Sequence, residues 1–418
     1  MSNVRETVEA MGPPARAAAR FLAKASAAQK NALLESIASA LDSARETIAE
    51  ANQRDVERGR AAGLSEALID RLTLTPKRMD AMIAGVRDVM ALPDPVGERL
   101  KAWRLPNGLE MEKVRVPIGV IGIIYESRPN VTIDASVLCL KTGNATILRG
   151  GSEALESNRA LVAAVGAACR AEGVPEAVVS LVPTTDREAI PALCEMDGYL
   201  DLMIPRGGHG LIETVVRHAR MPVIKHYHGV CQIYVHASAD PAMAESIVVN
   251  AKCQRPGVCN AAETLLMDRS IAPTLLPRLA RALLDRGVEL RGDAEVAGWV
   301  GRPLKEPENW TTEYLDLILA IRLVNGLDEA IDHIETHGSH HSDTIVASDR
   351  DVAERFLAEV DSAAVYWNAS TRFTDGAQFG FGAEIGISTD KIHARGPMGL
   401  EELTSYKYIA RGTGQIRH

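Results

Sequence analysis

Two cysteines stand six positions apart in the stretch NAKCQRPGVCNAAETLLM, residues 250–267, and their surroundings separate them chemically. Cys259 follows Pro256, Gly257 and Val258, and a Pro-Gly pair ends the helical pattern of AMAESIVVNAKC, so this thiol sits on a loop. The apolar β-rich run ETLLM begins four residues later. A thiol on a loop anchored by a strand is held in place with backbone amides nearby, which is what a cysteine nucleophile with an oxyanion site requires. Arg255, close in sequence, favours the thiolate. Cys253 ends the helix and lacks that setting. A free cysteine without such a context is usually buried and inert, so the loop is what singles out Cys259.

Two glycine turns have the pattern of phosphate-facing turns. In LDLMIPRGGHGLIETVVRHA a buried strand ends at Pro205, Gly207 and Gly208 permit close approach, and a helix starts near His209. In TILRGGSEALESNRALVAA the strand ends at Arg149, Gly150 and Gly151 follow, and Ser152 is placed to cap the next helix. Backbone amides at a helix amino terminus after a strand are a ready anion site. Neither turn is a full GxGxxG fingerprint, and a tight strand-to-helix connection also uses glycine. The histidine tracts HYH at 226–228 and HGSHHSD at 337–343 carry no carboxylate or thiol at metal-ligand spacing, so no metal is expected.

These residues need elements to position them. Residues 1–100 read as Ala-rich, charge-laced helices. Asn107-Gly108 between extended segments is a hairpin signal, and an exposed hairpin needs something to pair with. From 116 to 236 the runs VPIGVIGIIYE, NATILRG, AVVSLVP, YLDLMIP, MPVIKHY and CQIYVHA alternate with helical patterns such as 153–171, which predicts βαβ units and a parallel sheet covered on both faces. ETLLM, LDLILAIRLV, DTIVAS and AAVYWN continue the alternation as a second α/β domain. The fold class is α/β, and 418 residues make two or three domains.

The bulk numbers exclude some functions. A net charge of −9 argues against nucleic acid as the main partner. Six scattered cysteines without CxxC fit a reducing cytoplasm rather than a disulfide framework. The longest apolar run, VPIGVIGIIY, is far short of the roughly 20 residues of a membrane span, so no membrane partner is expected.

Taken together, the stretch around Cys259, IYESRPNVT, LKTGNATILRGGSEA, YLDLMIPRGGHGLI, TEYLDLILAI and STDKIHARGPMGLEELTSYKYI closely resemble the gamma-glutamyl phosphate reductase family, a branch of the aldehyde dehydrogenase superfamily. Cys253 departs from the threonine expected there. The resemblance implies an aldehyde dehydrogenase-like fold: a Rossmann-like NADP-binding domain over 1–101 and 117–227, an α/β catalytic domain over 228–390, and an oligomerisation element from the hairpin 102–116 and the terminal 400–418. It implies a homodimer or higher homo-oligomer, and functional coupling to glutamate 5-kinase.

The same resemblance assigns Cys259 as nucleophile and Asn130 as side-chain oxyanion donor. Gly207 and Gly208 would face the cofactor pyrophosphate, and Glu313 would hold the nicotinamide ribose. Arg149 stands in place of a lysine near the adenosine ribose. Ser152 stands where NAD-preferring relatives often carry glutamate, so a 2′-phosphate would meet attraction without repulsion and the cofactor would be NADPH/NADP. Arg128 and Arg255 are assigned to substrate phosphate or carboxylate, since guanidinium matches both. His226 replaces the glutamate with which aldehyde-oxidising relatives activate water, which would spare a thioester from hydrolysis. The implied reaction is reduction of glutamyl phosphate to glutamate 5-semialdehyde in proline biosynthesis. A coenzyme A-acylating or other acyl-phosphate aldehyde dehydrogenase, and a nucleotide-binding oligomer without turnover, are the rival readings.

Overall fold

Four apolar runs in the first half make one parallel sheet because each is buried on both faces. In the computed structural model, which describes residues 4–417, the strand order is Val179–Leu181, Ala145–Arg149, Val120–Tyr125, Leu202–Arg206. Val120 pairs with Ala145 and Ile121 with Leu202, both in parallel. Helices Asn130–Lys141 and Leu155–Ala171 are the crossovers. The amino-terminal helices start on local signals. Ser26 and Gln29 form a reciprocal capping box for Ala27–Ser43, and Thr75 caps Pro76–Ala91 with proline in the first turn.

The same compact unit contains a three-stranded antiparallel sheet, Arg99–Arg104, Glu110–Pro117 and Thr404–Arg411. Gly108 takes φ +89° at the hairpin turn, a conformation glycine adopts without a Cβ penalty. The buried Asn144 amide donates to the Leu403 carbonyl and holds the last segment to the parallel sheet. This unit runs to Lys225 and takes in Gly380–Gly386 and the chain from Met398.

The second unit holds His226–Phe379 and Ile387–Pro397. Its six-stranded sheet runs Ala364–Trp367, Ser342–Val346, Cys231–Val235, Ala262–Asp268, Ile318–Val324, Glu289–Arg291, with every pair parallel. Helices Pro241–Cys253 and Ala272–Leu284 bury one stripe each against it, including Val248, Leu276 and Leu279. Full burial of such an aliphatic side chain stabilises by about 1.5–3 kcal/mol, so this cluster gives the site a stiff base.

Two local expectations fail. MPVIKHY is not a strand: only Val223 bridges to Met203, because Pro222 has no N–H to give and the chain leaves the unit at Lys225. Ser152 caps nothing. It begins a 3₁₀ turn whose capping position is Gly151, and the helix proper starts at Leu155 without a side-chain cap. Among the described residues, no helix is long and apolar enough to cross a membrane.

Candidate active site

Cys259 lies in the turn between helix Pro241–Cys253 and strand Ala262–Asp268. Both shoulders of the turn are tied. Lys252 Nζ lies 2.7 Å from Glu263 Oε2, with both side chains fully buried, so the last helical turn and the strand are cross-linked beneath the loop. Burial raises the Glu263 carboxyl to about 7 and lowers the Lys252 ammonium, while each charge holds the other against that cost. Asn260, also buried, donates to the Thr374 carbonyl at 2.8 Å, and its own carbonyl accepts from Thr371 Oγ1 at 2.8 Å.

The backbone of Cys259 is gripped as well. Cys231, at the start of its strand, donates its buried thiol to the Cys259 carbonyl at 3.2 Å. Burial pushes the Cys231 thiol well above the ordinary cysteine value, so it serves as a hydrogen-bond donor rather than a thiolate. Gly229 packs so closely that a Cβ there would stand 1.9 Å from the Cys259 carbonyl oxygen. The Gly229 N–H donates to Glu313 Oε1 at 2.9 Å, and His228 Nδ1 lies 3.6 Å from the other carboxylate oxygen. Glu313 itself stands in irregular chain, and Leu315 N donates to Glu263 just beyond it.

Two histidines stand beside the thiol, and two arginines stand at its turn. His226 donates Nδ1–H to the Ile387 carbonyl at 2.8 Å, since that oxygen only accepts. His341 is buried, with Nδ1 2.9 Å from Ser342 Oγ. One ligating atom from each of His226, Cys259 and His341 lies within 4.8 Å of the others. Arg372 is half-buried, with Nε donating to Gln254 at 2.8 Å. Burial lowers its guanidinium from the ordinary value, the Arg255 charge pushes it the same way, and Cys259 opposes both, so the two arginines and the thiol share one electrostatic neighbourhood.

In the first unit, helix His209–His218 follows Gly207 and Gly208. Its free amino end already holds a carboxylate: Gly208 N donates to Glu126 Oε2 at 2.9 Å, and a Cβ on Gly207 would strike the same carboxylate. Arg149 is buried, gives two N–H groups to the Gly150 and Thr185 carbonyls, and has an Nε with no partner. A buried guanidinium with an orphaned donor fits an added phosphate or hydroxyl acceptor. Glu153 accepts from Ser127 N and Oγ, at 2.5 and 2.9 Å, beside Gly151.

A sequence profile of the aldehyde dehydrogenase family matches residues 2–296. The chain is 55% identical to gamma-glutamyl phosphate reductase of Moorella thermoacetica over 418 residues, which is 99% of this chain and 100% of that protein. It is 54% identical to gamma-glutamyl phosphate reductase of Rhodospirillum rubrum, over 97% of this chain and 96% of the other. The chain belongs to the gamma-glutamyl phosphate reductase family. The crystal structure of the Thermotoga maritima gamma-glutamyl phosphate reductase matches with a TM-score of 0.97 at 47% identity, covering 98% of this chain and 100% of that one. Fold and family therefore agree: this is an aldehyde dehydrogenase-like oxidoreductase of a class that uses a nicotinamide cofactor.

Within this gamma-glutamyl phosphate reductase family member, Cys259, Arg255 and Glu313 fall in the second unit, and Arg128, Asn130, Arg149, Ser152, Gly207 and Gly208 in the first. Arg128 is half-buried in the turn before helix Asn130–Lys141, its carbonyl accepting from Val131 N. Asn130 opens that helix, and its Nδ2 donates to Asp134 Oδ2 at 2.8 Å, leaving one amide hydrogen for a ligand. Burial raises the Asp134 carboxyl to about 6. A serine at 152 does not free this corner of negative charge, because the adjacent Glu153 places a carboxylate near Arg149. Gly150 answers to packing: a Cβ there would meet the Asn158 amide at 2.1 Å. Sequence spacing missed Arg372, which meets the thiol turn at Gln254, and His341, which has a ring nitrogen within 4.8 Å of the Cys259 sulfur.

Proposed function

We propose that the chain catalyses NADPH-dependent reduction of L-glutamyl 5-phosphate to L-glutamate 5-semialdehyde, with release of phosphate, in proline biosynthesis. The Cys259 thiolate attacks the acyl carbon, the acyl carbon–oxygen bond to phosphate breaks with its electron pair going to phosphate, and a thioester remains on Cys259. When bound, the nicotinamide coenzyme supplies the hydride that reduces this thioester. Cys259 then leaves as thiolate when the semialdehyde forms.

The observation that carries this reading is that two guanidinium groups meet at the one thiol turn: Arg255 belongs to the turn, and Arg372 Nε donates to Gln254 in it at 2.8 Å. A phosphate leaving group needs that charge, whereas a simple aldehyde does not. Gly229 and Cys231 keep the thiol's backbone in place while the acyl group arrives and departs. His226, occupying the position where oxidising relatives use glutamate, has its Nδ1–H committed to a carbonyl and offers a lone pair at Nε2. Arg149, Ser152, Gly207 and Gly208 would hold the adenosine and pyrophosphate portions of the coenzyme, and Glu313 the ribose next to nicotinamide. For the pyrophosphate to take the Gly208 N–H, the Glu126 carboxylate must withdraw.

Arg128 is assigned to the substrate's anionic groups and Asn130 to the oxyanion. The hairpin sheet, whose outer strands Arg99–Arg104 and Thr404–Arg411 each pair on one side only among the described residues, is assigned to homo-oligomerisation. The test is rapid-quench measurement of phosphate release. One equivalent per chain released before or without NADPH supports acyl transfer ahead of reduction, while release that waits for coenzyme oxidation overturns it.

A further inference from the structure

We propose that His226, Cys259 and His341 form a binding site for a borderline-soft divalent transition-metal ion, of which Zn²⁺ is the type, and that occupancy silences the thiol. The sequence expectation of no metal treated the two histidine tracts separately. The fold takes one histidine from each tract and sets both beside the cysteine, with one ligand atom from each residue within 4.8 Å of the other two. In tetrahedral zinc coordination, neighbouring nitrogen and sulfur ligands stand about 3.3–3.6 Å apart. Side-chain rotations of about an ångström close the difference.

The surroundings support ligation. A metal-binding histidine usually donates its other ring N–H to a carbonyl or carboxylate, which fixes the ring and leaves a lone pair for the ion. His226 has that arrangement, with Nδ1–H on the Ile387 carbonyl at 2.8 Å, which fixes the tautomer so that the neutral ring's lone pair lies at Nε2. His341 is fully buried, and its ring is fixed by a chain of hydroxyls: Nδ1 to Ser342 Oγ at 2.9 Å, then Thr374 Oγ1 at 2.6 Å, then Tyr366 OH at 2.7 Å. The two imidazoles meet edge to face with centroids 5.6 Å apart. Two imidazoles and a thiolate select Zn²⁺, Co²⁺ or Cu²⁺ over Mg²⁺ or Ca²⁺, which require oxygen ligands. Three protein ligands leave a fourth position for water.

Binding forms one metal–sulfur and two metal–nitrogen bonds and releases the thiol proton to solvent, with no change of oxidation state. A thiolate bound in this way is no longer available to an acyl carbon. The inference therefore rests on Cys259 being the reacting thiol only for its consequence, not for the site itself.

The experiment uses the purified full chain, freed of metal by a chelator and titrated with Co²⁺ as spectroscopic probe. The expected result is a thiolate-to-cobalt charge-transfer band saturating at one equivalent, lost in Cys259→Ser and displaced by Zn²⁺. His226→Gln and His341→Gln should each weaken Zn²⁺ binding at least tenfold, with circular dichroism unchanged. Zn²⁺ should also slow alkylation of Cys259 by iodoacetamide, and a chelator should restore it. Absence of the band in folded wild type, or an unaltered band in both histidine variants, overturns the site. A normal wild-type band together with full activity in Cys259→Ser leaves the metal site standing and overturns the thioester reading instead.

Discussion

Gly229→Ala is the sharpest structural perturbation of the proposed chemistry, because the added carbon meets only backbone. An ideal Cβ at 229 lies 1.9 Å from the Cys259 carbonyl oxygen and 2.6 Å from both its carbonyl carbon and Cα. No flexible side chain is available to give way. Ordinary contact begins near 3.4 Å, so the Cys259 peptide must retreat by about 1.5 Å or the 229–231 segment must move by as much. Either movement breaks the Cys231 thiol bond to the Cys259 carbonyl or the Gly229 N–H bond to Glu313. A misplacement of about 1 Å at a reacting group costs about 100-fold in rate. The assay is kcat/KM for phosphate-dependent oxidation of glutamate semialdehyde, with iodoacetamide alkylation of Cys259 and the unfolding midpoint measured alongside. A loss of about 100-fold or more is expected, with the protein folded and the alkylation rate altered. Wild-type kcat/KM in a folded variant would refute the claim that this close approach positions the thiol.

Three further outcomes follow from the same geometry. Arg372→Ala removes a charged donor beside the thiol turn, worth about 1.5–3 kcal/mol, so KM for phosphate in the oxidative direction should rise at least about tenfold; an unchanged KM would free Arg372 of the role. Glu126→Gln removes the charge at the amino end of helix His209–His218. A helix-terminal charge is worth about 0.3–1 kcal/mol, so fluorescence titration should show coenzyme binding about two- to fivefold tighter, and weaker binding would contradict the phosphate assignment. Asp343 is fully buried between Gln232 N and Ser362 Oγ, and burial raises its carboxyl to about 7. The folded state thus holds a proton that the unfolded state releases near pH 4, so this group's contribution to stability is fully present below that pH and is lost as pH rises through about 7. The unfolding free energy of wild type relative to Asp343→Asn, from urea titrations, should fall across that window by up to about 1.4 kcal/mol per pH unit, and parallel profiles would refute it.

Much of the fold was legible because parallel strands buried on both faces read as continuous apolar runs, as in Val120–Tyr125 and Ala262–Asp268. The same rule misled at MPVIKHY, where an apolar run carries a proline and leads out of its unit. The loop position of Cys259 was legible because the signal is local: a Pro-Gly pair between a helix and a strand. Arg372 and His341 were not, since they come from 113 and 82 residues farther along the chain and only the strand order of the second sheet brings them near. Ser152 illustrates a different limit. The residue type is as expected, but Gly151 takes the capping position, and the neighbouring Glu153 supplies the carboxylate that position 152 lacks.

The central claim is that the acyl group rests on Cys259 before hydride arrives, and mass spectrometry of the enzyme quenched with acyl phosphate in the absence of NADPH tests it most directly. The expected result is a glutamyl adduct on the peptide containing Cys259, formed with one equivalent of phosphate and discharged when NADPH is added. Turnover at full rate with that peptide never modified would contradict it.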